Sequence, residues 1–238
     1  LTFAILPSTN AWVLDHAAEL WDGDVVRAHV QTCGRGRLGR AWLSIPGGGL
    51  TFTVYLDAGR WQVLAPNLGQ VAAWAVARMA RELGLDTLLK WPNDVMAADR
   101  KLAGILVETT GSGTGYALGM GLNVNSEGRQ LEAAGVDRPV VSLRDLAGRT
   151  LDAERVLDRL LKHLEACLDK VQENGLAPLL AAWKGHDWLA GRPIRVIGAD
   201  REVSGVYGGL APDGRLRLRL PDGAEASYWT GDVERILS

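Results

Sequence analysis

Gln31-Thr32-Cys33-Gly34-Arg35-Gly36-Arg37-Leu38-Gly39-Arg40-Ala41-Trp42 is the stretch on which the fold turns. Residues 34–39 satisfy G-x-G-x-x-G, the glycine pattern of dinucleotide-binding folds. That pattern works only where a helix follows at once and points its N-terminus at a pyrophosphate. Here Arg40-Ala41-Trp42-Leu43-Ser44-Ile45-Pro46 runs into a proline and then Gly47-Gly48-Gly49, which do not continue a helix. The stretch is therefore a flexible cationic loop between two strands. Asp24 to Val30 alternates before it, and Leu50 to Leu56 reads as a buried strand after it.

Upstream, Thr2 to Leu6 predicts a short strand, and Ser8-Thr9-Asn10 supplies cap residues for an amphipathic helix running to about Leu20. Downstream, the alanine-rich Pro66 to Leu83 predicts a helix packed on a sheet. Leu88 to Trp91 and Ile105 to Glu108 read as two strands joined by a polar turn around Asp99-Arg100, and Tyr116 to Val124 as a glycine-rich strand. Asp152 caps and Gly175 stops a helix ending at Asn174, with a shorter helix over Leu176 to Lys184. After Gly191-Arg192-Pro193 come four short strands, Ile194–Ile197, Glu202–Tyr207, Leu216–Leu220 and Ala224–Trp229. The turns Pro212-Asp213-Gly214 and Pro221-Asp222-Gly223 separate them. The expected fold is α+β: a mixed β-sheet with helices packed on it over residues 1–188, and a small C-terminal β-barrel over 189–238.

The 238 residues, 47% hydrophobic, suffice for a full core. A formal net charge of -2 argues against a general nucleic-acid coat, so cationic chemistry is local to Arg35, Arg37 and Arg40. No apolar run reaches the ~18 residues of a membrane span and no signal sequence opens the chain. Cys33 and Cys167 lack metal-ligand spacing, which predicts a cytoplasmic chain with reduced thiols. His16, His29, His163 and His186 lie in unrelated contexts and form no catalytic triad or zinc pattern.

Arginines spaced among glycines can converge on one anion, and Trp42 adds a flat apolar face. A carboxylate within ~4 Å of a phosphate suffers about 4 kcal/mol of repulsion at an effective dielectric near 20. Charge-assisted hydrogen bonds return roughly 1.5–3 kcal/mol each, so two or three cations reverse the sign. Two later blocks carry matching chemistry. In Lys90-Trp91-Pro92-Asn93-Asp94 the proline ends a strand. Asn93 there suits a phosphate, a metal-bound water or simply an Asx turn, and Asp94 suits Mg²⁺ or an oriented lysine. Lys101 stands before the apolar run 102–107, where it can direct a fixed charge at a reacting anion, and Gly104 permits close approach of a ligand.

With these blocks in order, and with Gly119 to Asn125 beyond them, the chain resembles the biotin–protein ligases, also called biotin–[acetyl-CoA-carboxylase] ligases. The resemblance covers essentially the whole chain. It implies a sheet like that of class II aminoacyl-tRNA synthetases and an SH3-like C-terminal barrel. It also implies a two-step reaction: biotin and MgATP give biotinoyl-5′-AMP and pyrophosphate, and the anhydride then acylates a lysine of a biotin carboxyl carrier domain. By the family pattern Ser8, Thr9, Asn10, Gln31, Gly34, Arg35, Gly36, Arg37, Lys101 and Gly104 serve biotin. Arg37, Arg40, Trp42, Lys90, Asn93 and Asn123 serve ATP, Trp42 by stacking on adenine and Asn123 by reading its edge. Arg37 and Lys101 are the expected catalytic residues, and Asp94 is the candidate ligand for Mg²⁺.

Bacterial members with an N-terminal helix-turn-helix act as repressors. This sequence opens on a strand of the catalytic unit, so no DNA partner is expected. A homodimer stays open. The rivals are a lipoate–protein ligase, whose loop pattern carries a histidine absent here, and a non-catalytic module that merely holds a small acid.

Overall fold

The computed structural model describes residues 1–133, 135–136, 138–198 and 202–236. The predicted first strand, β1 (Thr2–Leu6), is present at the sheet edge. The helix after it, α1 (Thr9–Asp15), is capped by Ser8 Oγ, which accepts from Ala11 N. This helix stops short of Leu20. The backbone N–H of His16 bonds to Trp12 O, its ring nitrogen Nδ1 lies 2.8 Å from the same carbonyl, and only a 3₁₀ turn over Ala17–Glu19 follows. β2 (Val25–Gln31) enters the glycine–arginine loop and β3 (Gly49–Asp57) leaves it, followed by the short α2 (Ala58–Trp61).

The long helix α3 spans Leu68–Glu82, later than expected. Pro66, which has no N–H to donate, lies in a 3₁₀ segment over Gln62–Asn67 instead. Next come β4 (Leu88–Lys90), β5 (Asp94–Ala97), β6 (Arg100–Thr109) and β7 (Gly115–Asn123). β5 was not foreseen. The turn at Ala98-Asp99 joins β5 to β6, not the Leu88 strand to the Ile105 strand. Both turn residues have left-handed φ, 48° and 57°, as a tight hairpin requires. Lys101 consequently lies within β6 and not before it. After α4 (Gly128–Ala133) and α5 (Leu143–Ala147) run α6 (Ala153–Asn174), capped by Asp152, and α7 (Ala177–Gly185).

The first seven strands form one mixed sheet in the order β1-β2-β3-β7-β6-β5-β4, with only β1 and β2 parallel. One face is covered by α3 and α6. Leu68, Val71, Met79 and, from α6, Leu160 and Leu164 recur at helical spacing and are buried there. Each such leucine contributes roughly 1.5–3 kcal/mol. The opposite face has a smaller apolar cluster with α1 that includes Val13, Val26, Tyr55 and Ala117.

The C-terminal residues form the expected small β unit: an antiparallel sheet ordered β11-β10-β9-β8-β12. Its strands are β8 (Pro193–Ile197), β9 (Glu202–Leu210), β10 (Leu216–Arg219), β11 (Glu225–Tyr228) and β12 (Asp232–Arg235). β12 was not foreseen from the sequence. This unit is buttressed by the Asp213-Gly214 turn. Gly214 O accepts from Gln70 Nε2 at 2.8 Å and Trp91 Nε1 at 3.2 Å, and Asp213 O from Asn67 Nδ2 at 3.0 Å. No described helix is long and apolar enough to cross a membrane.

Candidate active site

Side chains alternate across a strand, so residues two apart in β7 share a face. On the face away from α3, those residues include Gly115, Gly119 and Gly121. A Cβ at Gly119 would lie 2.0 Å from Asn10 Oδ1, and one at Gly121 would lie 2.3 Å from the Trp42 ring. The glycine-rich strand therefore exists to let the α1 N-terminus and Trp42 lie directly on the sheet. Between them is a cavity of about 360 Å³, within the range of small-molecule sites.

Every predicted site residue lines this cavity except Gly34 and Lys90. Gly34 instead closes the loop: its carbonyl accepts from Trp42 N, and a Cβ there would strike Trp42 O at 2.4 Å. Lys90 lies beside the cavity, its ammonium 5.3 Å from the Trp188 ring centroid. Burial lowers its pKa, against the pull of Asp94 and Asp232.

The floor is a connected polar network. Gln31 Oε1 accepts from Thr9 N at 2.7 Å and lies 3.1 Å from Thr9 Oγ1. Thr53 Oγ1 lies 2.8 Å from Thr9 Oγ1 and 2.6 Å from Asn10 Oδ1. Asn10 Nδ2 donates to Leu106 O at 3.2 Å and to Glu108 Oε2 at 2.9 Å.

One wall is β6 with β5. Asp94 Oδ1 lies 2.7 Å from Lys101 Nζ. The backbone of Lys101 is clamped as well, donating to Pro139 O and accepting from Val141 N. Its ammonium is 6.0 Å from the Trp42 ring centroid. A Cβ at Gly104 would fall 2.8 Å from Nζ, so the glycine makes the room in which the lysine lies. Asn93 Nδ2 bonds to Ile105 O, and Asn123 Nδ2 donates to Val141 O at 3.2 Å and Lys101 O at 3.4 Å.

The lid is the loop itself, folded as a small hairpin in which Gly36 N donates to Arg40 O at 2.7 Å. Its tip is a 3₁₀ turn, Arg37–Gly39, with Leu38 at φ 56°. Arg37 donates to Asn93 Oδ1 at 3.2 Å, Gly231 O at 3.3 Å and Thr230 Oγ1 at 2.5 Å. Arg40 pairs with Asp232. Arg37 thus reaches the β11–β12 turn of the C-terminal sheet, and Arg40 the first residue of β12. Burial lowers the Arg37 pKa, opposed by Asp94 and Asp232.

Sequence reasoning missed Thr53, Glu108, Arg138 and Asp232. Glu108 had a signal, since it follows Gly104 and Leu106 at strand spacing. Asp232 had none, because it comes from a distant part of the chain and an unforeseen strand.

Residues 2–125 match the biotin/lipoate A/B protein ligase family, and residues 190–235 match the biotin protein ligase C-terminal domain. The chain is similar to the bifunctional ligase/repressor BirA of Escherichia coli (strain K12), 36% identical over 97% of this chain and 73% of that protein. It is also similar to the biotin--[acetyl-CoA-carboxylase] ligase of Paracoccus denitrificans, 34% identical over 92% of this chain and 93% of the relative. The biotin protein ligase from Aquifex aeolicus in complex with biotin and ATP shares its fold, with a TM-score of 0.85. That likeness, at 24% identity, covers 99% of this chain and 98% of that one. With both regions matched in order, and with relatives of this identity along nearly its full length, the chain belongs to the biotin/lipoate A/B protein ligase family, on its biotin protein ligase branch.

Proposed function

We propose that this chain activates biotin with ATP to biotinoyl-5′-AMP and transfers the biotinoyl group to one lysine of a biotin carboxyl carrier domain. The observation that carries the reading is the meeting of two cations on one cavity: Lys101, anchored by Asp94, and Arg37 on the lid. In the first step a carboxylate oxygen of biotin attacks the α-phosphorus. An O–P bond forms, the bond to the bridging oxygen breaks, and pyrophosphate leaves with the electron pair. Lys101 and Arg37 offset the repulsion between the two approaching anions. In the second step the neutral amine of the acceptor lysine attacks the acyl carbon. A C–N bond forms, the C–O bond to AMP breaks, and the amine gives up a proton.

Ser8, Thr9, Asn10 and Gln31, with Gly34, Arg35, Gly36 and Gly104 around them, make the biotin side. Arg40, Trp42, Lys90, Asn93 and Asn123 make the nucleotide side. The Asn123 amide hydrogens are engaged by backbone carbonyls, which leaves its oxygen for an adenine amino group. The closed lid also keeps water from a hydrolysable anhydride. Asp94 is committed to Lys101, and no three metal-ligating side chains cluster among the described residues. These residues do not fit a protein-held metal site, so Mg²⁺ enters on the phosphates of ATP. The chain divides at 188/189 into catalytic and C-terminal units and works in the cytoplasm.

The test is ATP–pyrophosphate exchange followed by labelling of a carrier domain. Exchange is expected with biotin and not with lipoate. Exchange with lipoate alone would move the chain to the lipoate branch. Undiminished biotinylation after both Lys101→Ala and Arg37→Ala would overturn the assigned roles.

A further inference from the structure

We infer that Asp99 is a positioning residue for the lid: through Arg235 it seats the strand β12, whose other end receives the lid arginines. Its effect falls on retention of biotinoyl-5′-AMP, and to that extent the inference rests on the proposed function. None of Asp99, Trp188 and Arg235 lines the cavity.

Asp99 holds the second place of the two-residue turn between β5 and β6, at φ 57°. A hairpin turn with left-handed φ at both residues favours glycine there, because a Cβ is strained. An aspartate at such a place points to a use for its carboxylate. Oδ1 accepts from Trp188 Nε1 and from Arg235 Nη1, each at 2.9 Å. Arg235 Nη2 donates to Trp188 O at 2.6 Å, and the guanidinium carbon lies 3.1 Å from the centroid of the Trp188 ring. An exposed ion pair ordinarily contributes little. This one is lopsided: the Asp99 side chain is 70% exposed but that of Arg235 only 10%, so the carboxylate faces a largely desolvated cation. Trp188 is tied in turn to the catalytic sheet, its N–H donating to Leu89 O at 3.0 Å while Leu89 N donates to His186 O at 2.7 Å. Arg235 belongs to the C-terminal sheet, yet these bonds seat it on the catalytic unit.

In the described sheet β12 is an edge strand, paired with β8 alone. Its first residue, Asp232, pairs with Arg40, and Thr230 and Gly231 just before it accept from Arg37. Arg235 stands three residues further on, roughly 10 Å along an extended strand. One end of β12 thus meets the lid, and the other is clasped by Asp99 to the same hairpin, β5–β6, that carries Asp94 and Lys101. Without the clasp β12 keeps its pairing with β8 but loses its fixed seat beside the cavity. The acceptors of Arg37 and Arg40 lose their fixed place with it.

The test measures dissociation of biotinoyl-5′-AMP from the full chain and from Asp99→Gly, Asp99→Asn, Asp232→Ala and the double variant Asp99→Gly/Asp232→Ala. Asp99→Gly removes the carboxylate while relieving the left-handed turn, so it spares the fold that strain. Losing a hydrogen bond to a charged partner corresponds to roughly 10- to 100-fold, and the share that reaches the lid is expected to speed dissociation about tenfold. Asp99→Asn keeps an acceptor oxygen, so it is expected to stay within about threefold of the parent. Asp232→Ala is expected to speed dissociation as well. The double variant should then be no faster than the faster single one, because both changes act through one strand. Dissociation unchanged in Asp99→Gly, or effects that multiply in the double variant, overturns the proposal. Should Asp99→Gly fail to fold, Arg235→Lys keeps the charge but not the fork that spans Asp99 and Trp188 O, and it carries the same expectation and the same reversal. A wild-type chain that holds no biotinoyl-5′-AMP would instead strike the proposed function. In that event amide exchange at Gly36 and Trp42, whose N–H groups close the lid hairpin, still decides. Faster exchange in Asp99→Gly supports the proposal, and equal exchange in both chains overturns it.

Discussion

Asp94 Oδ1 and Lys101 Nζ lie 2.7 Å apart across the neighbouring strands β5 and β6, in an ion pair that is largely shielded from solvent. The carboxylate fixes the ammonium on the cavity wall, and the clamped backbone on either side of Lys101 leaves it little freedom. Removing a pre-organised charge of this kind costs roughly 10²–10³-fold in rate. Lys101→Ala is expected to lower single-turnover adenylate formation on that scale. Asp94→Asn, which keeps the shape and frees the ammonium, should give a smaller loss in kcat with little change in the KM for biotin. Equal rates in Asp94→Asn and the parent would remove Asp94 from this role.

Gly119 and Gly121 should separate the two substrates. An added methyl meets Asn10 at the first position and the Trp42 ring at the second. Overpacking costs about 1–3 kcal/mol, which corresponds to roughly 5- to 150-fold in affinity. Gly119→Ala is expected to raise chiefly the KM for biotin, and Gly121→Ala chiefly the KM for ATP. Steady-state exchange kinetics with each substrate varied in turn will show whether the effects separate.

The Asp213-Gly214 turn should hold the C-terminal sheet in place. Gly214 has φ 87°, and a Cβ there would lie 2.1 Å from Asn67 Nδ2. Gly214→Ala combines left-handed strain with a clash, so a destabilisation of roughly 2–4 kcal/mol is expected. Urea unfolding followed by intrinsic tryptophan fluorescence measures it, and a change near zero would mean that the turn carries no such stress.

Two carboxylates near the junction of the sheets should titrate in opposite senses. For Asp232, burial acts to raise the pKa, but the hydrogen bond and charge of Arg40, with Lys90 and Arg138, bring it below the ordinary value. A lowered carboxyl pKa gives stability that is complete above the unfolded value of about 3.9 and is lost as pH falls through the folded value. Asp187 is raised by burial, against hydrogen bonds from Tyr207 and Leu189 N. Its contribution is therefore greatest below about pH 3.9 and declines as pH rises through the folded value. The stability gap to Asp232→Asn should close in acid, and any advantage over Asp187→Asn should shrink toward neutrality. Unfolding midpoints across the acid-to-neutral range provide the check, with parallel pH profiles as the contrary result.

The cap at Ser8, the helix from Asp152 to Gly175 and the glycine-rich strand were legible because their signals are local. Each is a period or a cap within a few residues. β5 escaped because Asp94–Ala97 is too short to show a period, and β12 for the same reason. The helix ending near Leu20 was overcalled because apolar spacing continued past His16, whose ring nitrogen and backbone N–H both turn to the Trp12 carbonyl.

From its order of residues alone this chain declared an α+β sheet, a cationic glycine loop that no helix follows, and a lysine beside an apolar strand. Those are matters of backbone freedom and of spacing along one segment. Only folding decided that Asp94 would hold Lys101, that Glu108 would stand behind Asn10, that Arg37 would reach the β11–β12 turn and that Arg40 would pair with Asp232 at the start of β12. Such pairings join segments far apart in sequence. They arise because strand register brings polar groups into a site where each must find a partner.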